Sequence, residues 1–156
     1  MTALRAYANI YKTWTMKTFV ERVKRTIFVA TLMLAMSACT QDDDITDIFT
    51  GRGWTLSYVQ DGATKRYSTK KYDVQFIDNT FNATIPGGAT ISGRWEADGN
   101  SRKMHCWNVQ STGDLKGDTI AQKMLQIFTD ATSYDGDTHW LQIKQNKSTF
   151  MQFYSK

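Results

Sequence analysis

From about residue 53 onward, apolar and polar positions alternate with a period of two. Trp54, Leu56 and Tyr58 form one apolar set, followed by Tyr72, Val74 and Phe76, by Phe81, Ala83 and Ile85, and by Ile91, Gly93 and Trp95. Met104 and Cys106, Leu141 and Ile143, and Met151 and Phe153 continue the pattern. Such alternation predicts strands with one face buried and the other wet, as in a meandering antiparallel sheet. Turn-forming residues separate the sets: Asp61-Gly62, Asp78-Asn79, Gly87-Gly88, Asp98-Gly99-Asn100, Asp135-Gly136 and Asn146-Lys147. These types tolerate positive φ or bond their own backbone.

One segment has a different period. In Asp118 to Ala131, the residues Ile120, Met124, Ile127, Phe128 and Ala131 fall on a single stripe of an α-helix. Asp118 suits the N-cap, and Gly117 lets the chain turn into it. The expected fold is mainly β (α+β): a small antiparallel β-barrel or curved sheet of about seven to eight strands. The helix precedes the last two strands, and packs across the sheet or plugs one mouth of a barrel.

The opening segment changes the picture. Thr26 to Ala38 is an uncharged, mostly apolar run of 13 residues behind Arg22, Lys24 and Arg25. A membrane-spanning helix needs about 20 residues, whereas a signal-peptide core needs about 7–15 after positive charge. Residues 1–38 therefore read as a signal peptide with an N-terminal signal helix, and Met16, close ahead of the charges, as the true start. The expected organisation is a signal at 1–38, a lipidated acidic tether at 39–50, and one β-rich domain at 51–156. Within the tether, Ile45, Ile48 and Phe49 begin to seek the core.

Removing the signal also removes the basic character. Residues 1–38 hold six Lys or Arg and one acid; taken from 19 bases and 15 acids, they leave 13 and 14, a net charge near −1. Nucleic-acid binding requires a persistent basic patch, so no nucleic-acid partner is expected.

Met36-Ser37-Ala38-Cys39 resembles the lipobox of bacterial lipoproteins, with Met36 where Leu is commoner. That resemblance implies a diacylglycerol on the Cys39 thiol, cleavage before Cys39 and acylation of the new amino terminus. The alternative is a plain secretory signal cut after Ala38. Gln41, Asp42, Asp43 and Asp44 resemble the surface-export signal of Bacteroidota lipoproteins, which implies an outer-membrane protein facing outward. The alternative is a solvated, flexible tether. Gly53-Trp54-Thr55-Leu56 with Asp61-Gly62 looks like the opening strand of META-type and lipocalin-like domains. The closing helix and hairpin, from Ile120 through Tyr134, Gly136 and Asp137 to Met151-x-Phe153, look META-type. Gly93-x-Trp95 near Asp98-Gly99-Asn100 is similar to small lipocalin-like lipoproteins of the Bacteroidota. Both families imply a compact β-rich barrel or sheet, and neither carries a catalytic residue across.

Candidate chemistry is sparse. Asp135, Asp137 and His139 form a weak metal candidate, since alternating oxygen ligands suit calcium, but an Asp-Gly-Asp turn explains them equally well. Cys106 has its only His neighbour, His105, on the opposite strand face and is expected to be a small buried residue. Trp107 and Trp140 lie out of phase with their strands' buried residues. With Tyr134 they are candidate ligand-binding residues, since aromatic rings stack on sugars or line apolar pockets. Trp54 and Trp95 are assigned to the core. Lys65, Arg66, Lys70 and Lys71 read as a solvated basic hairpin able to meet anionic headgroups or an acidic glycan. Glu96 is the sole Glu after the signal, which makes a glycosidase-like acid pair hard to assemble.

No motif implies a cofactor or a catalytic residue. The expected protein is a lipid-anchored, non-catalytic binding module at the outer membrane. It contacts the bilayer through Cys39 and takes a small apolar ligand, a glycan or an envelope protein. A structural or accessory envelope lipoprotein is the competing reading, and a hydrolase the third. An open interior would favour a small ligand; a filled one moves the search to the outer surface.

Overall fold

The computed structural model describes residues 45–156. The expected signal segment, the lipid site Cys39 and the acidic run Gln41 to Asp44 lie outside the described residues. No helix among the described residues is long and apolar enough to cross a membrane.

The chain runs through a short helix α1 (Ile45–Phe49), then β1 (Gly53–Asp61), β2 (Thr64–Tyr67), β3 (Asp73–Ile77), β4 (Thr80–Thr84), β5 (Thr90–Asp98) and β6 (Lys103–Thr112). Helix α2 (Thr119–Thr129) follows, then β7 (Ser133–Gly136), β8 (Trp140–Lys144) and β9 (Thr149–Ser155). All nine strands belong to one antiparallel sheet in the order β2-β1-β3-β4-β5-β6-β7-β8-β9, and β1 also pairs with β9. One edge of β1 serves β3 near its start and β2 near its end; the other edge serves β9. The sheet is thus nearly closed into a ring. Its thinnest seam lies between β6 and β7, which share only the Lys103–Ser133 register pair.

Two more strands form than the alternation counted at its lower bound, and three rather than two follow α2. β2 escaped because all four of its residues are exposed, so no apolar alternation marks it. β7 escaped because its end, Asp135-Gly136, looks like a turn. Gly136 is instead a strand residue with φ +149°, and a Cβ there would collide with the Trp140 carbonyl and lie 2.9 Å from Leu141 Cα.

Local irregularities close the ring. Ser57 is an extra residue in β1 between Leu56, which faces Phe153, and Tyr58, which faces Gln152. Such a bulge bends a strand and reverses its phase. Trp54 and Leu56 therefore point inward, but so does Val59, and Tyr58 turns to the outer face. The expected Trp54-Leu56-Tyr58 face is corrected accordingly. A second shift between Ser92 and Arg94 of β5 falls opposite Asn108, whose φ is +53°. Beside it, Phe81 lies across Gly93, where a Cβ would meet its ring at 2.8 Å.

Among the described residues, large side chains pack the interior. Phe49 of α1 stacks on Trp95 at 4.6 Å and meets Phe76 and Tyr134 edge-on at 5.0 Å each. Ile48 and Phe49, at the end of the expected tether, are thus core residues. Phe128 of α2 stacks on Phe81 at 4.3 Å. Since α2 also packs on β1, β6, β8 and β9, it touches strands on opposite sides of the ring and lies across its opening. Its buried face is Ala121, Met124, Ile127 and Phe128, with Ile120 only half-buried. Each large side chain buried in this way contributes about 1.5–3 kcal/mol.

The entry to α2 is tightly held. Asp118 accepts from the Ala121 N–H at 2.9 Å, the expected N-cap bond. The same carboxylate accepts from the Tyr72 hydroxyl at 2.9 and 2.8 Å. Burial, reinforced by that carboxylate, raises the Tyr72 hydroxyl well above its ordinary pKa.

Candidate functional site

With the interior occupied, the outer face of the ring is where a ligand has room. Strand register orders the outward side chains of β8, β9, β1 and β2 into rows. In one row Trp140 faces Tyr154, which faces Thr55, which faces Asp73 of β3. In the next, Gln142 faces Gln152, Gln152 faces Tyr58, and Tyr58 faces Tyr67. In the third, Lys144, Phe150, Gln60 and Lys65 follow one another. Five aromatic rings and three planar amides thus share one sheet face.

Neighbouring side chains fix this face without hiding it. Tyr58 lies 5.7 Å from Tyr67 and 6.0 Å from Phe150, ring centre to ring centre. The Lys65 ammonium sits 3.7 Å over the Tyr58 ring and 4.9 Å from the Tyr67 ring centre, cation–π contacts that bridge the two rings. Gln142 donates to Gln152 at 2.7 Å, and Gln152 donates to the Phe153 carbonyl at 3.1 Å. Tyr67 remains 63 % exposed, Tyr154 51 % and Trp140 36 %. With Ile77, they are the exposed large hydrophobic side chains among the described residues.

An open groove of about 460 Å³ runs along this face. Thr55, Ser57, Ser68 and Thr69 bring hydroxyls to it, Tyr67 and Tyr154 bring rings, and Lys70 and Lys71 bring charge. The connection from β2 to β3 forms its wall and is held by main-chain bonds. Ser68 N–H donates to the Ser57 carbonyl and Leu56 N–H to the Tyr72 carbonyl, both at 2.9 Å. The Ser68 hydroxyl donates to the Lys70 carbonyl. At the groove's edge Asp73 accepts from Thr55 at 2.8 Å and pairs with Lys156 at 2.6 Å and Lys71 at 3.5 Å. Burial pushes its carboxyl up, but these bonds and charges outweigh burial and hold it below the usual carboxylate range.

The other sequence candidates are scattered. Trp107 is half-buried on β6, stacked on His105 at 5.8 Å and opposite Arg94, away from Trp140 on β8. Tyr134 is 2 % exposed and packs on Phe49, so it is a core residue; β7 is a strand, and its alternation turns Tyr134 inward. Asp135 pairs with Arg102 and, at 3.2 Å, with Lys144. Asp137 accepts from the His139 and Trp140 N–H groups at 2.6 and 3.2 Å, and its carboxyl is held low chiefly by the His139 N–H. The three metal candidates thus serve a turn and two ion pairs. No group of three metal-binding side chains converges among the described residues. Cys106 is buried, and burial pushes its thiol up to about 12, where it is a poor nucleophile.

A second groove, of about 590 Å³, is lined by Glu96, Asp98, Lys103 and His105 among others. All four are exposed, and no hydrogen bond joins Glu96 to its cross-strand neighbour His105 among the described residues. Asp98 is already engaged by the Ser101 N–H at 2.8 Å. Across the strands Asp98 faces Lys103, and the Ser101 N–H, with that ammonium, holds the Asp98 carboxyl below its ordinary range.

Residues 63–155 match a family described as a domain of unknown function, DUF4847. The chain belongs to this family. A crystal structure of a DUF4847 family protein from Bacteroides vulgatus is similar to this DUF4847 chain, with a TM-score of 0.54 at 20 % identity. The match covers 70 % of this chain and 96 % of that one, and it supports the fold alone. A search of curated proteins finds no match.

Tyr67, Phe150 and Tyr154 were not singled out from the sequence, and Tyr58 was assigned to the inner face. Tyr154 and Phe150 carried a usable signal, since both fall out of phase with Met151 and Phe153, as Trp140 does with Leu141. Tyr58 carried none, because the bulge at Ser57 reverses its phase.

Proposed function

We propose that this DUF4847 protein is a non-catalytic glycan-binding module, tethered through lipid on Cys39 to the outer membrane and facing the cell exterior. The sugar chain lies along the outer face of β8, β9, β1 and β2. The single observation that carries this reading is the combination of a packed ring interior with a row-ordered face on which three exposed rings stand among half-buried rings and amides. Rings stack on the apolar faces of sugars, while Gln142, Gln152 and Gln60 offer both donors and acceptors to hydroxyls. Lipid attachment favours such a role, because a tethered module acts on polymers reaching the surface. Kinship with lipocalin-like lipoproteins belongs to the same reading, with the ligand outside the ring rather than within it.

The test uses the full chain, processed in its host, purified from membranes in detergent and applied to an array of neutral and acidic polysaccharides. Wild type retains at least one polysaccharide. A Trp140→Ala/Tyr154→Ala variant with the same melting temperature does not. Retention by neither protein, or equal retention by both, contradicts the reading. Mass analysis of the same preparation is expected to find acyl groups on Cys39. Protease treatment of intact cells is expected to remove the domain, and to spare it once Asp42, Asp43 and Asp44 are replaced by Ala.

A further inference from the structure

We propose that the groove beside Tyr67 and Tyr154 is an acid-sugar subsite, and that the glycan it takes carries uronic-acid carboxylates. This rests on the reading of the outer face as a glycan surface and names the ligand class. Lys70 and Lys71 stand side by side on the groove wall, both exposed. Lys70 has no carboxylate within ion-pair distance among the described residues, and Lys71 meets only Asp73, at 3.5 Å. Asp73 in turn is committed to Thr55 and Lys156. The groove therefore carries uncompensated positive charge, although the chain beyond residue 38 is near neutral.

Asp73 itself displays the chemistry. Two ammonium groups and one threonine hydroxyl converge on its carboxylate and hold it ionised. A sugar carboxylate entering alongside would meet the same kinds of group: Lys70, Lys71 and the hydroxyls of Ser57 and Thr69. Tyr67 and Tyr154 flank these groups and offer a surface for the pyranose ring. Cations next to exposed rings fit an acidic sugar better than a neutral one, because each charged hydrogen bond adds to stacking that both sugars share.

The test measures binding of polygalacturonate and hyaluronate to the detergent-purified full chain, each beside its carboxyl-reduced form. Reduction turns each uronate into the neutral parent sugar and leaves the linkages intact. At low salt the acidic forms bind about tenfold more tightly than the reduced forms, and 0.5 M NaCl removes most of the difference. Lys70→Gln/Lys71→Gln abolishes the preference but leaves the weak binding common to both forms; Tyr154→Ala weakens both. Equal binding of acidic and reduced forms by wild type overturns the inference and leaves the glycan reading standing. Binding of neither form, with neutral polysaccharides still retained, does the same. Failure of every polysaccharide removes both readings. Lysine-dependent capture of phosphatidylglycerol vesicles with no preference between acidic and reduced sugars also overturns the inference, because the cations then serve a membrane.

Discussion

Two faces of the same strands have opposite characters. Along β9, Met151 and Phe153 are fully buried, whereas Phe150, Gln152 and Tyr154 between and beyond them reach the outer surface. β8 repeats the contrast, with Leu141 and Ile143 inside and Trp140, Gln142 and Lys144 outside. Both faces are rich in large side chains, yet only the inner one is packed to exclusion of water. Inside, close packing specifies the fold and leaves little room for a guest. Outside, rings are held at fixed spacing by cross-strand neighbours and remain open. On the proposed reading, stability and recognition are separable by one residue along a single strand, and substitutions can test that separation directly.

The largest effect is expected inside. Phe153→Ala should cost about 3–5 kcal/mol, read as a lower urea midpoint with unchanged slope. Gly136→Ala should follow, at about 1–3 kcal/mol, because a Cβ there meets the Trp140 carbonyl and the backbone conformation is one that L side chains rarely adopt. The melting temperature checks it; an unchanged value would mean that β7 and β8 can separate at no cost.

Asp118→Ala should come next, at about 2 kcal/mol, since it removes a helix cap and leaves the buried Tyr72 hydroxyl without its partner. The alkaline limb of stability tests the same region. Burial raises both the Cys106 thiol, from 9.0 to about 12, and the Tyr72 hydroxyl in the folded state. The native protein then holds protons that the unfolded chain has released, so stability falls as pH rises. The Cys106 contribution is complete below about pH 9 and disappears toward pH 12; the Tyr72 contribution begins to fall near pH 10. Urea melts across this window should show a downward slope that Cys106→Ala and Tyr72→Phe each reduce. A flat profile for wild type would contradict the burial of both groups.

The smallest effect on stability is expected outside. Tyr154→Ala, one position from Phe153, should change it by no more than about 0.5 kcal/mol while weakening polysaccharide retention. A loss comparable to that of Phe153→Ala would erase the distinction between the two faces.

Much of the inner face was legible in the sequence, because period-two alternation is the direct signature of one buried side. Val74, Phe76, Phe81, Ile91, Trp95, Leu141 and Phe153 all lie inside as that pattern requires. The helix was equally legible from its spacing and from the Asp118 cap. The pattern failed where geometry departs from regular pleating. Ser57 adds a residue and sends Tyr58 outward; Gly136 looks like a turn but extends a strand; β2 has no buried side to betray it. The outer face was legible only in part. Trp140 announces itself by being out of phase, but its row partners Tyr154, Thr55 and Asp73 come from three strands whose register no local signal fixes. Tyr134, by contrast, was misplaced because β7 itself was not recognised.

The most direct test of where this protein binds is an amide shift map. The isotope-labelled protein is titrated with short fragments of the polysaccharide retained on the array. Shifts should concentrate at Trp140, Gln142, Gln152, Tyr154, Tyr58 and Tyr67, with the amides of Phe49, Trp95 and Phe153 unmoved. Shifts centred on those three interior residues, or on Glu96 and His105 in the other groove, would contradict binding on the outer face of β8, β9, β1 and β2.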